Sequence, residues 1–227
     1  MFFDETQAIS GCEVEPTQIF NLIDEGHEEL VEKVMKKKWF SINTLNEDKD
    51  DVLTYLLKKG YYELVLANIK NKNWNVNHQN KDGETFAHVL IEQNYLEVLD
   101  IAKELYKNKN FIPNIRNKNG QTILDKSLNK DYIYMTVKIL KDERFNNIDL
   151  VSFKSLYDKY IRSENYGAYS KLNNFETILN NLKNRVLLPK LNEIINILTQ
   201  NKKEIKQIIL NNDMEKLDKL VYGLLTD

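Results

Sequence analysis

The feature that most restricts what this chain can fold into is an internal period of 34 residues. Gly26 and Gly60 lie 34 apart, Asn94 follows 34 after Gly60, and Asp131 comes 37 after Asn94. Thr17, Asp51, Thr85 and Thr122 keep the same step of 34, 34 and 37, and Glu29, Glu63 and Glu97 repeat at 34. An aromatic track runs with them: Phe40, Trp74, Phe111 and Phe145 follow the turn residue by 14, 14, 17 and 14. One insertion of three residues between Asn94 and Phe111 accounts for every change of register. Self-similarity at such a period marks stacked supersecondary units, each too small to bury its own apolar face.

Within a unit the pattern predicts two helices. Thr17, Asp51, Thr85 and Thr122 carry side-chain oxygens that can cap free backbone N–H groups at a helix start. Apolar residues then recur at helical spacing in a first helix of about nine residues: Ile19, Leu22 and Ile23; Leu53, Leu56 and Leu57; Ala87, Leu90 and Ile91. Gly26, Gly60, Asn94 and Asp131 sit where the chain must turn, and Gly and Asn tolerate the left-handed conformation best. The second helix turns Leu30, Val31 and Val34, or Leu64, Val65 and Ile69, or Val98, Leu99 and Ala102 inward. Helices this short are marginal alone in water, so each must lean on its neighbours.

Between units the chemistry is that of loops. Residues 73–85 (NWNVNHQNKDGET) and 110–122 (NFIPNIRNKNGQT) are rich in Asn, with Gly83 and Gly120 at tight-turn positions. The stretch Asp82-Gly83-Glu84-Thr85-Phe86-Ala87-His88 resembles the D-x-G-x-T-P-L-H signature of the ankyrin repeat family. A second copy is Asn119-Gly120-Gln121-Thr122-Ile123-Leu124-Asp125, and Asn75-Val76-Asn77 with Asn114 are similar to that family's D-V-N element. Departures are the missing proline after each Thr, and Leu or Ile in place of the small residues after the signature histidine. The resemblance implies an all-α, ankyrin-like helical repeat stack, an α-solenoid, with units at 16–45, 46–79, 80–116 and 117–150. A lead-in segment, 1–15, precedes the stack. Tetratricopeptide-type repeats share the period but lack the long Asn/Gly loop.

Residues 151–227 carry no repeat signature yet are strongly helical in pattern, with helices expected at 152–162, 171–187, 190–200, 202–211 and 213–225. They are read as a C-terminal helical cap or small bundle, or a surface for a weak homodimer. Tyr157, Tyr160, Tyr166 and Tyr169 form a tyrosine-rich joint.

Charge is uneven. The first 32 residues hold nine Asp and Glu and no Lys or Arg; residues 1–150 carry −5 and residues 151–227 carry +3. Neither half has the basic footprint of a nucleic-acid binder. No run approaches the length of a membrane span, and the acids near the N-terminus are unlike a secretory leader. With Cys12 as the single cysteine, a disulfide framework within the chain is ruled out, and a reducing, cytoplasmic setting is expected.

A search for catalytic chemistry finds no convergent constellation. His27, His78 and His88 have no metal-ligand spacing, and neither a phosphate-binding glycine loop nor a nucleophile elbow is present. His88 and His27 are read as structural, His78 as the available one on a loop tip, and Cys12 as a thiol with no base assigned to it. No catalytic, cofactor or metal residues are expected.

The function expected is a protein-interaction scaffold, not an enzyme. By resemblance, its contacts are the loop tips His78, Gln79, Lys81, Arg116 and Lys118 and the first-helix residues Tyr55, Lys58, Lys59, Glu92, Gln93 and Lys126. Trp39 is a further anchor, since tryptophan is enriched at binding hot spots, whereas Trp74 sits at a repeat-equivalent packing position. Two rivals stand beside this reading. One is an immunity or antitoxin-type inhibitor that occludes a basic enzyme through the acidic N-terminal region. The other is an enzyme with a site between the stack and the C-terminal helices, built on His78, Cys12 or buried carboxylates.

Overall fold

The computed structural model describes residues 15–93, 95–130, 132–146, 148–182 and 189–226. Cys12, Asn94 and Asp131, on which parts of the sequence reading rest, lie outside them, as do the acids Asp4, Glu5 and Glu13. Among the described residues the chain is all-α: thirteen α-helices and one π-helical segment, with no strand beyond an isolated bridge between Leu45 and Asp51. Contacts cluster into two compact units. The first comprises the described residues up to Phe111 with Ile115–Gln121, and the second Ile112–Asn114 with the described residues from Thr122 onward.

The first unit contains three helix pairs: α1 (Gln18–Asp24) with α2 (Glu28–Met35), α3 (Val52–Lys58) with α4 (Tyr62–Asn68), and α5 (Phe86–Glu92) with α6 (Tyr95–Lys107). The first helices are seven residues long, two shorter than the pattern suggests. The three-residue insertion falls within α6, which runs for 13 residues. Gly26 and Gly60 take φ of +80° and +84°, the left-handed turn that lets the chain reverse between paired helices. Each pair packs internally, α3 also packs against α1 and α5, and α4 against α6.

The predicted apolar stripes form the interior. Ile19, Leu22, Ile23, Leu53, Leu56, Leu57, Ala87, Leu90 and Ile91 are all buried. Each fully buried Leu or Ile contributes roughly 1.5–3 kcal/mol, which is what holds helices of two turns in place. Trp74 and Phe111 of the aromatic track are buried, and Phe40 is half-buried. The Trp74 and Phe86 rings meet edge to face at 5.0 Å.

The caps follow the sequence in three of four copies. Asp51 Oδ1 accepts the Thr54 N–H at 2.7 Å, and Thr122 Oγ1 accepts the Asp125 N–H at 3.4 Å while the Thr122 N–H donates to Asp125 Oδ2 at 2.8 Å. Thr85 forms the same reciprocal box with His88, its N–H donating to Nδ1 at 3.2 Å. Thr17 does not cap: its own φ and ψ are helical, and the first N–H groups of α1 bond back to the Glu15, Pro16 and Thr17 carbonyls instead.

The second unit contains α7 (Ile123–Asn129), α8 (Ile133–Lys141), α9 (Leu150–Tyr157) running into the π-helical Asp158–Arg162, and then α10 (Ala168–Leu182), α11 (Pro189–Gln200), α12 (Lys202–Leu210) and α13 (Met214–Thr226). Within it α7 packs against α8 and α9, and α10 packs against α8, α11, α12 and the π segment. Leu191, Ile194, Ile195, Leu198, Ile205, Ile208, Ile209, Leu217 and Val221, at helical spacing in α11 to α13, are buried, while Leu220 and Leu224 of the same pattern are half-buried. Phe145, the last of the aromatic track, is buried here too.

Candidate functional site

The loops between repeats are ordered by asparagine. Asn46, Asn80 and Asn117 stand 34 and 37 apart and each opens a five-residue turn closed around its own side chain. The N–H of each donates to the carbonyl four residues on, at 3.1, 3.0 and 2.9 Å, while its own carbonyl accepts the N–H of Lys49, Gly83 or Gly120. Its side-chain oxygen accepts the N–H of Asp50 at 2.8 Å, of Asp82 and Glu84 at 3.0 Å each, or of Asn119 and Gln121 at 3.0 and 2.9 Å. Asn side chains satisfy local backbone in this way where no ladder is available. The turn needs a left-handed residue at its fourth position, supplied by Gly83 at φ +73°, Gly120 at +74° and Lys49 at +59°.

Successive loops of the first unit are then bonded to one another. The Lys81 N–H donates to the Asp48 carbonyl at 2.8 Å, and the Lys118 N–H donates to the Asp82 carbonyl at 2.9 Å. The approach is close: a Cβ on Gly83 would stand 2.9 Å from the Lys118 nitrogen. A second asparagine track reinforces it. Asn43 Nδ2 donates to the Asn73 carbonyl at 2.6 Å and its Oδ1 accepts the Asn75 N–H at 2.8 Å; one repeat on, Asn77 Nδ2 donates to the Asn110 carbonyl at 2.7 Å. In the second unit Asn114 makes the equivalent pair, to the Arg144 carbonyl at 2.7 Å and from the Asn146 N–H at 3.1 Å. His88 adds a third tie. Its Nδ1 accepts from the Thr85 N–H, so Nε2 carries the proton and donates to the Gln121 carbonyl at 3.1 Å.

Several sequence-predicted contact residues are occupied by this internal bonding. His78, read as available, is half-buried with Nε2 donating to the Lys49 carbonyl at 2.7 Å. Gln79 donates to the Gly83 and Arg116 carbonyls, Arg116 to the Gly120 carbonyl at 2.5 Å, and half-buried Gln93 to the Val89 carbonyl at 3.2 Å. Lys58 pairs at 2.8 Å with Asp50, a buried carboxylate that also accepts from Asn80 Nδ2 at 2.8 Å. Lys126 is a correction: it is 8% exposed in α7, which is packed on both α8 and α9, and its register equivalent Val89 is buried too. His27, read as structural, is at the surface with Nε2 3.3 Å from Glu25. Lys81, Lys118, Glu92 and Trp39 are exposed. Trp39 is 52% exposed, its ring edge-on to Phe40, while Trp74 is interior and donates Nε1–H to Asp51 Oδ2 at 2.8 Å. Burial pushes the Asp51 carboxyl up, against the opposing pull of its bonds from Thr54 and Trp74.

The first-helix face of the first unit bears a groove of about 650 Å³ between α1, α3 and the loop at Leu45–Asp48. Tyr55, one of the predicted contacts, stands in it half-buried, its hydroxyl donating to Asp24 at 2.8 Å and its ring edge-on to Phe20 at 5.2 Å. Lys59, another, reaches Asp24 at 2.6 Å and holds that carboxyl below its ordinary value.

In the second unit, Tyr157 donates to Asp218 at 2.7 Å, Arg162 donates to the same carboxylate at 3.0 Å, and Tyr222 donates to Asp158. The Tyr157 and Tyr222 rings meet edge to face at 5.8 Å. Burial, then the Asp218 carboxylate, raises the Tyr157 phenol far above its ordinary value, and burial with Asp158 pushes Tyr222 up to about 12. Tyr160 is buried and its hydroxyl lies 3.2 Å from Thr136, whereas Tyr169 is exposed. The tyrosine-rich joint therefore splits between interior packing and surface.

Among the described residues no group of three or more His, Cys, Asp or Glu stands where it can hold a metal ion, and no helix is long and apolar enough to cross a membrane. No family model matches the chain, and no curated protein matches it.

Proposed function

We propose that this chain is a protein-recognition module of divergent ankyrin-like repeats, which binds its partner through the loop tips and first-helix face and does not catalyse a reaction. The observation that carries the reading is the loop-to-loop bonding, Asp48 to Lys81 and Asp82 to Lys118. It recurs with the sequence period and fixes the backbone from which the exposed side chains of Asp48, Lys81 and Lys118 project. A surface ordered before binding loses less conformational entropy on association, so such bonding serves recognition more than chemistry. The polar side chains of the loops then have two parts: His78, Gln79 and Arg116 keep the loops in register, and Lys81 and Lys118 face the partner.

Affinity purification of the full chain from its native cell tests this. A partner protein is expected with the wild type, lost when Lys81 and Lys118 are changed to Glu, and retained when the exposed Lys203 and Lys206 of α12 are changed instead. Recovery of no partner, or equal loss in both variants, refutes the reading. One observation favours a narrower version, an inhibitor that covers a basic enzyme: Glu25, Glu28, Glu29 and Glu32 are all exposed on α2 and the turn before it. Complex formation that weakens steeply with added salt supports that version, because exposed charge pairs are screened.

A further inference from the structure

We infer that the groove between α1, α3 and the Leu45–Asp48 loop receives an extended cationic segment of the partner, a stretch of chain carrying Arg or Lys beside apolar residues. The inference rests on the recognition function proposed above and names the chemistry one part of that surface accepts.

Three carboxylates line the groove, those of Asp24, Glu47 and Asp48; Lys59 pairs with Asp24 at 2.6 Å from outside the lining, which leaves Glu47 and the loosely held Asp48 to meet an incoming cation. The Asp48 side chain is 68% exposed, its contact to Lys81 a loose 3.3 Å, and Glu47 is exposed with no ion pair among the described residues. Asp24 keeps its charge firmly, with Lys59 and the Tyr55 hydroxyl on it. The acids are not gathered round one point, for no metal-holding group forms among the described residues. They are spread along a cleft, which suits charges carried at intervals on a chain better than a single ion. Between them the walls are mixed: Thr17, Gln18, Asn21 and Asn46 alternate with apolar surface from Leu45, 37% exposed, and the half-buried Tyr55 ring, which lies edge to face on buried Phe20. Arg and Lys side chains match both features, laying an aliphatic stem on the Tyr55 ring and Leu45 while the charged head meets a carboxylate. The size, about 650 Å³, is that of a site for a few side chains.

The test titrates the full-length protein with a short fluorescent peptide alternating Arg with Leu and Gly, and with its counterpart bearing Glu for Arg. The Arg peptide is expected to bind saturably and more weakly as salt rises, and the Glu peptide not to bind. Changing Glu47 and Asp48 together to Lys is expected to weaken the Arg peptide about tenfold or more, and the milder Glu47→Gln with Asp48→Asn to weaken it in the same direction. Changing Glu204 and Glu215 to Lys, two exposed acids of α12 and α13, should alter it less than about threefold. Absence of saturable binding, or equal weakening by the two Lys pairs, overturns the inference. If the partner captured through Lys81 and Lys118 still binds the Glu47 and Asp48 variant while the Arg peptide fails on the wild type, the groove is overturned and the recognition reading stands.

Discussion

Changing Gly83 and Gly120 to Ala, one at a time, isolates the free energy held in the contact between loops. The two glycines have nearly the same conformation, φ +73° and +74°, so Ala suffers the same left-handed penalty at each, about 1–2 kcal/mol. The loss of unfolded-state freedom, which favours Ala by about 0.4–1 kcal/mol, is also shared and cancels in the comparison. What differs is the space. At Gly120 an added Cβ meets nothing within 4 Å, whereas at Gly83 it meets the Lys118 nitrogen at 2.9 Å and the Asn117 carbonyl carbon at 3.3 Å. Backbone cannot swing aside as a side chain can, so the neighbouring loop must move and the bond from Lys118 to Asp82 lengthens. Overpacking of this kind costs about 1–3 kcal/mol, and the hydrogen bond about 1 kcal/mol more. Gly83→Ala is therefore expected to exceed Gly120→Ala by roughly 2–4 kcal/mol, taking those two contributions together. Urea unfolding followed by tryptophan fluorescence reads the right region, because Trp39 and Trp74 both belong to the first unit, as do both glycines. With m of about 1–3 kcal/mol per molar urea, the difference is a midpoint shift of roughly 0.7–4 M. Equal midpoints for the two variants would show that the loops are not in tight contact and would remove the basis of the recognition reading.

Three further outcomes are expected. Asn43→Ala removes two bonds to the backbone of the following loop and should lower the same urea midpoint by the equivalent of about 1–2 kcal/mol, while Asn43→Asp keeps the acceptor for Asn75 and should cost less; a silent Asn43→Ala contradicts the account of the track. Because burial holds Asp51 above its ordinary value of 3.8, the folded state keeps the proton to higher pH than the unfolded state does. Stability contributed at this site thus falls as pH rises through the window above 3.8, and Asp51→Asn should flatten that part of a stability-against-pH profile; an unchanged slope disproves the assignment. Tyr222, raised to about 12, should ionise late in an alkaline titration followed by tyrosinate absorbance, and wild-type stability should decline between the ordinary phenol value of 10 and 12 more than that of Tyr222→Phe; identical profiles would dissociate Tyr222 from Asp158.

The helix pairs were legible because two kinds of signal coincide in them. The stripe Leu53, Leu56, Leu57 has one periodic solution, and the cap at Asp51 and the turn at Gly60 bound it on either side. Thr17 shows the limit of that logic. Its residue type is right, but its backbone is helical, at φ −69° and ψ −19°, where Asp51, Thr85 and Thr122 are extended, so its side chain makes no cap. The loops were read for their glycines, and Lys49, which takes the same left-handed turn in the first copy, was missed because its residue type hides the conformation. Asn46, Asn80 and Asn117 were in plain register, yet abundant asparagine elsewhere obscured them. The candidate contacts were least legible of all. Polar residues on a loop look alike in sequence whether they face solvent, as Lys81 does, or bind the neighbouring backbone, as Gln79 does; only the position of the next loop decides. Lys126 was misplaced because a charged residue type outweighed the apolar Val89 one repeat earlier.

The bonding between loops has a direction. Each loop presents an amide on one side, that of Lys81 or Lys118, and a carbonyl on the other, that of Asp48 or Asp82. The middle loop, at 80–85, uses both ends and joins its neighbours head to tail, like a monomer in a growing polymer. A duplicate of residues 46–79 spliced behind itself would offer its Glu47 amide to the Asp48 carbonyl, the same backbone bond. Side-chain contacts such as those of Tyr55 and Lys59 with Asp24 would meet Lys58 at the new junction and need replacing.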